Sequence, residues 1–178
     1  MIVARRPFLA GALAAAASLA LPGRAAAVGA VIRTVSTPDG SDVWFDPVGL
    51  WVGPGTAVTF SNGTDQANTH TATAYHPANG NRCLRIPEAA APWDSGYLLP
   101  DQGFTVFLTA EGVYDYFCQP HEMAGMAGRI IVGRPGGPGS MPFDWFTASH
   151  PEWRPVPQEA QRAFPAIEAI LRERMVRR

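Results

Sequence analysis

Cys118, His121, Met123 and Met126 fall within nine consecutive positions and together offer one thiolate, one imidazole and two thioethers. Thiolate beside imidazole suits a copper ion that changes oxidation state. A trigonal set of two His and one Cys with a long, weak axial Met is the arrangement of blue-copper electron-transfer sites. The set needs a second imidazole from elsewhere, and His70 is the candidate. The thiolate is the ligating form of Cys, and Pro120 stiffens the chain between Cys118 and His121. Gly125 and Gly128 let the backbone curve back and bring Met126 beneath the metal as the axial ligand. Met123, beside the His on an exposed turn, is the rival for that position. Taken singly, Cys118 reads as a small buried hydrophobe, His121 as a solvated loop residue and His70 as a satisfied strand histidine. The pattern Cys-x2-His-x4-Met between two strands is what points to a metal.

The elements that must position these side chains are short and β-rich. Strand-like runs occupy residues 30–35, 43–47, 48–52, 56–60, 104–109, 113–117 and 129–132, separated by turns such as Pro38-Asp39-Gly40 and Gly53-Pro54-Gly55. This spacing predicts an all-β sandwich or barrel of antiparallel type. With 18 Gly and 17 Pro, turns and short strands are favoured over long helices. After a polar loop over 61–68, residues 69–76 read as another alternating strand with His70 and His76 on one side. Six residues apart in extended chain is roughly 20 Å, so His76 cannot share the ion and is expected to be structural or to support the ligands. Residues 77–103 carry the breakers Pro77, Gly80, Pro87, Pro92, Gly96 and Pro100, and predict a long inserted loop lying against the sandwich, anchored by Trp93, Tyr97 and Leu98. Beyond a linker at 134–140, Trp145, Phe146 and Trp153 read as apolar anchors and His150 as solvated. Pro165 fits the first position of a short C-terminal helix running to about 176. Ile167, Ile170 and Leu171 would form its apolar face, with Arg172, Arg174, Arg177 and Arg178 complementing its C-terminus. The tail is expected to pack on the sandwich and cover an edge strand. A partner-docking or membrane-surface helix is the alternative, disfavoured by its few apolar residues.

Length and charge bound the rest. A chain of 178 residues allows one domain with a tail. Its start has the basic, apolar and small-residue regions of an export signal, with cleavage expected after Ala27. The apolar stretch is too short for a stable membrane span, and Arg5-Arg6-Pro7-Phe8-Leu9 resembles a twin-arginine address. The 14 basic residues are all Arg. Past residue 27, eleven Arg face fifteen acids; residues 28–132 carry a net −6 and residues 133–178 a net +2. An acidic domain argues against nucleic acid and favours a basic protein partner. Cys83 and Cys118 could form a disulfide in an exported protein, but only if Cys118 holds no metal.

The stretch Gly112-x-Tyr114-x-Tyr116-Phe117-Cys118-x-Pro120-His121-x-x-Ala124-Gly125-Met126-x-Gly128-x-Ile130-x-Val132 resembles the C-terminal copper motif of plastocyanins, pseudoazurins and halocyanins, within the cupredoxins. Val52-Gly53-Pro54-Gly55-Thr56-Ala57-Val58-Thr59-Phe60-Ser61-Asn62, followed by His70, is similar to the first-His half of the same family. The resemblance covers about residues 30–133. It implies a Greek-key β-sandwich with one type 1 copper ion at one end, bound by His70, Cys118, His121 and Met126. It departs from the plastocyanin pattern at Thr71, where that family places Asn or Asp, and at Phe117, where a surface Tyr is common.

The expected organisation is an export signal at 1–27, a cupredoxin domain at 28–133 and an extension at 134–178. The expected role is an exported, monomeric, non-enzymatic carrier of single electrons, probing redox proteins such as c-type cytochromes or copper enzymes in brief encounters at His121 and its apolar neighbours. Two other classes have less support: an enzyme, as a copper-dependent reductase or oxidase or a Cys/His hydrolase, and a copper-binding module. Copper oxidases flank the Cys with His on both sides, whereas Phe117 and Gln119 flank it here, and a binuclear centre needs a second Cys nearby. A copper delivery or sensing module would favour Met-rich exchangeable sites, and a Cys/His hydrolase leaves Met126 unexplained.

Overall fold

The computed structural model describes residues 29–64, 68–136 and 150–178. The expected export signal and the anchors Trp145 and Phe146 lie outside the described residues.

Strands β1 (Ala30–Ser36), β2 (Val43–Asp46), β4 (Thr56–Asn62) and β6 (Gly103–Leu108) form one sheet in the order β2-β1-β4-β6. The second sheet has the order β5-β7-β8-β3-β9, from β3 (Gly49–Val52), β5 (Thr73–Ala74), β7 (Gly112–Phe117), β8 (Ala127–Val132) and β9 (Met175–Val176). The chain changes sheets between β2 and β3. As a result β1 lies parallel to β4 and β3 parallel to β8, while the other pairs are antiparallel. This is the expected all-β sandwich, except that the change of sheet makes two of its pairs parallel where an antiparallel type is expected.

Period-two alternation builds the layer between the sheets. Along β4, Thr56, Val58, Phe60 and Asn62 are buried and the residues between them are half-exposed. Facing them are Tyr114, Tyr116, Ile130 and Val132 of the second sheet. The Tyr116 ring meets Phe45 and Phe60 edge-on, with centroids 4.8 and 5.0 Å apart. Such contacts favour one packing over alternatives, beyond the area they bury.

The central strands β7 and β8 break that alternation, being buried at every position. Their second face is covered by the chain's end. Helices α1 (Gln158–Ala163) and α2 (Ile167–Glu173) lie there: Val156 and Ala160 pack with Tyr75, Phe117 and Ala127, and Ile170 packs with Val113 and Ile131. Gly49 permits the approach of α2, since a Cβ there would lie 2.6 Å from Pro165 and 2.8 Å from Ile170. The tail thus covers a face as well as an edge, where β9 pairs with β3.

Buried among these groups is a charge cluster. Asp115, fully buried on β7, accepts from Arg85 Nη2 at 2.7 Å and from Arg129 Nε at 2.8 Å. Both guanidiniums lie about 5 Å from the Phe164 ring, and Arg129 Nη1 donates to the Pro165 carbonyl at 3.0 Å. This explains one correction. The short helix expected over 165–176 is present as α2 at Ile167–Glu173, but Pro165 precedes it rather than opening it, and α1 at Gln158–Ala163 is an additional helix the sequence reading does not anticipate. Phe164 and Ala166 are extended there, which places the Phe164 ring against the two arginines. Arg177 and Arg178 do not cap a helix either; they pair with Asp46 and Asp42.

Two further expectations change. In the stretch 69–76 only Thr73–Ala74 is strand, and residues 70–75 are all buried because the inserted loop, an excursion over 77–103, lies over them. There Ala74 N–H donates to Trp93 O and Ser95 N–H to Ala72 O. Trp93 and Leu98 anchor the excursion as expected, but Tyr97 is 65% exposed.

Candidate metal centre

The late loop is shaped by its own backbone. β7 ends at Phe117, Cys118 keeps an extended conformation, and a 3-10 turn runs over Gln119–Ala124 with Pro120 in its first positions. Gly125 ends the turn with φ 80°, the left-handed conformation that glycine adopts without steric cost. Met126 O then accepts from Cys118 N–H at 2.9 Å, and Met126 N–H donates to His121 O at 3.1 Å. The loop therefore returns on itself and sets Cys118, His121 and Met126 at one end of the sandwich.

His70 comes from the other segment. It forms an antiparallel bridge with Leu98, and Asn62 steadies the same region by donating to Leu98 O at 2.9 Å and Asn68 O at 3.0 Å. The His70 Nε2 atom is hydrogen-bonded to Ser36 Oγ at 3.1 Å, leaving Nδ1 on the side of Cys118, 3.8 Å from Sγ. His121 Nδ1 lies 3.3 Å from the same sulfur. One donor atom from each of His70, Cys118 and His121 lies within 4.8 Å of the others. Met126 is fully buried in the same cluster as Cys118, whereas Met123 is 69% exposed.

Burial governs the protonation of the set. It takes His70 down to about 4, helped by the neighbouring His121, and it lowers His121 as well. Burial pushes the Cys118 thiol up to about 11, against hydrogen bonds from Thr71 and His121 that lower it. A bound cation would reverse that preference, since only the thiolate ligates. The donor chemistry, one soft sulfur with two imidazoles, fits copper.

The profile of the family described as copper binding proteins, plastocyanin/azurin family, matches residues 33–133. The chain belongs to this family. A plastocyanin from Tetradesmus obliquus is 33% identical over 130 residues, 67% of this chain and 80% of that protein. One from Chlamydomonas reinhardtii is 54% identical over 33 residues, covering 18% of this chain and 23% of that protein. Among solved structures, a pseudoazurin from Sinorhizobium is 30% identical with a TM-score of 0.46, over 60% of this chain and 75% of the other. The cofactor of this cupredoxin is copper, and His70, Cys118, His121 and Met126 stand in the type 1 pattern.

The departure at Thr71 is filled in kind. Thr71 N–H donates to Cys118 Sγ at 3.3 Å, and its hydroxyl accepts from Gln119 N–H at 2.8 Å, tying the two halves of the site together. Phe117 is 1% exposed, under Tyr75 at a 4.4 Å centroid distance and the Arg82 guanidinium at 5.1 Å. His76 takes no part: its Nδ1 accepts from Ala78 N–H in a local turn. His150 does the same for Glu152 N–H. Cys83 and Cys118 are both free thiols, so the alternative disulfide is not formed. Sequence reasoning passed over Glu122, a buried carboxylate next to His121, because a charged loop residue ordinarily faces water.

Proposed function

We propose that the protein is an exported electron carrier whose single type 1 copper ion is held by His70, Cys118, His121 and Met126. The observation that carries this reading is the meeting of three donor atoms from two distant segments within 4.8 Å. Copper, when bound, supplies a one-electron couple. The chain supplies the rest: His70, Cys118 and Met126 are fully buried and exclude water, while His121 is partly exposed at the protein surface. Pro120, Met123 and Ala124 are exposed around it and make a small apolar landing surface. The net −6 of residues 28–132 suits brief contact with a basic redox protein such as a c-type cytochrome, or with a copper enzyme.

The reading includes an export signal at 1–27 of twin-arginine type, a cupredoxin domain at 28–133, an extension at 134–178 and a monomeric state. No helix among the described residues is long and apolar enough to cross a membrane. No catalytic step is assigned to the chain. The test is a visible spectrum with redox titration of the copper-loaded protein. Intense thiolate-to-copper absorption that bleaches reversibly with one electron, and is lost in Cys118→Ser, is the expected result. A colourless Cu(II) form, retained colour in Cys118→Ser, or turnover of nitrite or oxygen would overturn it.

A further inference from the structure

Glu122 follows His121 in the late loop, yet it is only 3% exposed. A carboxylate so buried is costly unless paired and hydrogen-bonded. It is paired twice. Tyr75 Oη donates to Oε1 at 2.9 Å, and Arg82 forms an ion pair with Oε2. Tyr75 stands just before the 77–103 excursion and Arg82 lies within it, and both are held in turn. The Tyr75 ring lies against Phe117 and Phe164, and Arg82 stacks over Phe117. The backbone beside Arg82 is tied to the C-terminal extension, with Arg154 N–H donating to Asn81 O and Cys83 N–H to Arg154 O. On the far side of the loop α1 sits close: the Glu159 carbonyl would be 3.2 Å from a Cβ on Gly125. The loop between His121 and Met126 is therefore gripped from outside the sandwich, by groups that belong to neither the ligand set nor the inner core.

We propose that Glu122, clamped by Tyr75 and Arg82, is a positioning residue that holds the Cys118–Met126 loop in its ligand-bearing shape before any ion binds. The consequence for copper rests on the ligand assignment proposed above; the clamp itself is a property of the copper-free chain. A site fixed beforehand by supporting groups rearranges little when its ion changes charge, which favours fast electron transfer.

Amide hydrogen exchange on the full-length, copper-free protein tests the clamp. The Gly125 and Met126 amides donate to Glu122 O and His121 O, so they report loop opening directly. In Glu122→Ala they should exchange at least about tenfold faster, with Ile130 and Ile131 of β8 unchanged, as local rather than global opening requires. Glu122→Gln, which keeps an acceptor for Tyr75 but loses the charge, should fall between. Copper-loaded Glu122→Ala should show a shifted potential and slower electron self-exchange than the parent. Loop amides at the parent rate, or equal acceleration throughout β8, would overturn the proposal. Should Glu122→Ala fail to fold, Tyr75→Phe keeps the ring packing and carries the same readout alone. If the parent protein shows no intense copper band, the ligand assignment fails while the exchange result still decides the clamp.

Discussion

With His70 taken down to about 4 by burial, His121 also lowered and the Cys118 thiol pushed up to about 11, the donor set is uncharged at neutral pH. Copper(II) uptake then displaces one proton, from sulfur, and none from the imidazoles. Affinity should rise about tenfold per pH unit between roughly pH 7 and 10 and level off above the thiol's own pKa. Calorimetry in buffers of differing ionisation enthalpy reads that proton count directly; a count near zero or two would contradict the assignment. The axial position is tested by Met126→Gln, which should keep the copper but lower its potential, because an oxygen donor favours Cu(II) over a thioether. An unchanged potential would return the role to Met123, despite its exposure. The spacing of Cys118, His121 and Met126 was legible because a tight loop leaves little freedom in where its side chains meet. His70 was less so, since nothing local ties it to a loop 48 residues away. Glu122 and the Thr71 hydrogen bonds were invisible in sequence, since each depends on a partner brought in by the fold.

Among the elements, β7 carries a fully buried carboxylate, Asp115. Asp115 on that strand neutralises two arginines that are themselves mostly buried, so removing its charge leaves both guanidiniums without their carboxylate. Asp115→Asn should therefore cost about 3–5 kcal/mol, seen as a fall in the denaturation midpoint at constant slope. A loss under about 1 kcal/mol would mean that water reaches the cluster. The strands themselves were readable from alternation and turn residues, and most bounds fell within a residue or two. What alternation could not tell is which face of the second sheet meets water. Ile130-Ile131-Val132 holds a clue, because apolar residues on both sides of a strand mark burial on both faces. Residues 69–76 alternate like a full strand although only β5 is one, because the excursion supplies, from outside, the burial that sequence assigns to sheet pairing. The C-terminal helix α2 is legible from Ile167, Ile170 and Leu171, whereas α1 and the extended link at Phe164 are not, because that link is set by the ring's reach to the arginines.

At the scale of the whole molecule, the described residues stack three layers deep: a four-stranded sheet, a five-stranded sheet and a covering of chain from both the excursion and the C-terminal extension. That covering roofs the aromatic ring bonded in sequence to the thiol-bearing residue. Phe117 lies under Tyr75 and Arg82, so a visiting protein cannot place its own cofactor against that side without displacing both. On the proposed function, the way left open among the described residues is the imidazole edge of His121. Giver and receiver must then queue for it rather than attend together, and the carrier has to let go of one before greeting the next. Steady-state flux should accordingly pass through a maximum and decline as either partner is raised in excess. Flux that climbs to a plateau under the same titration would reveal a second entrance.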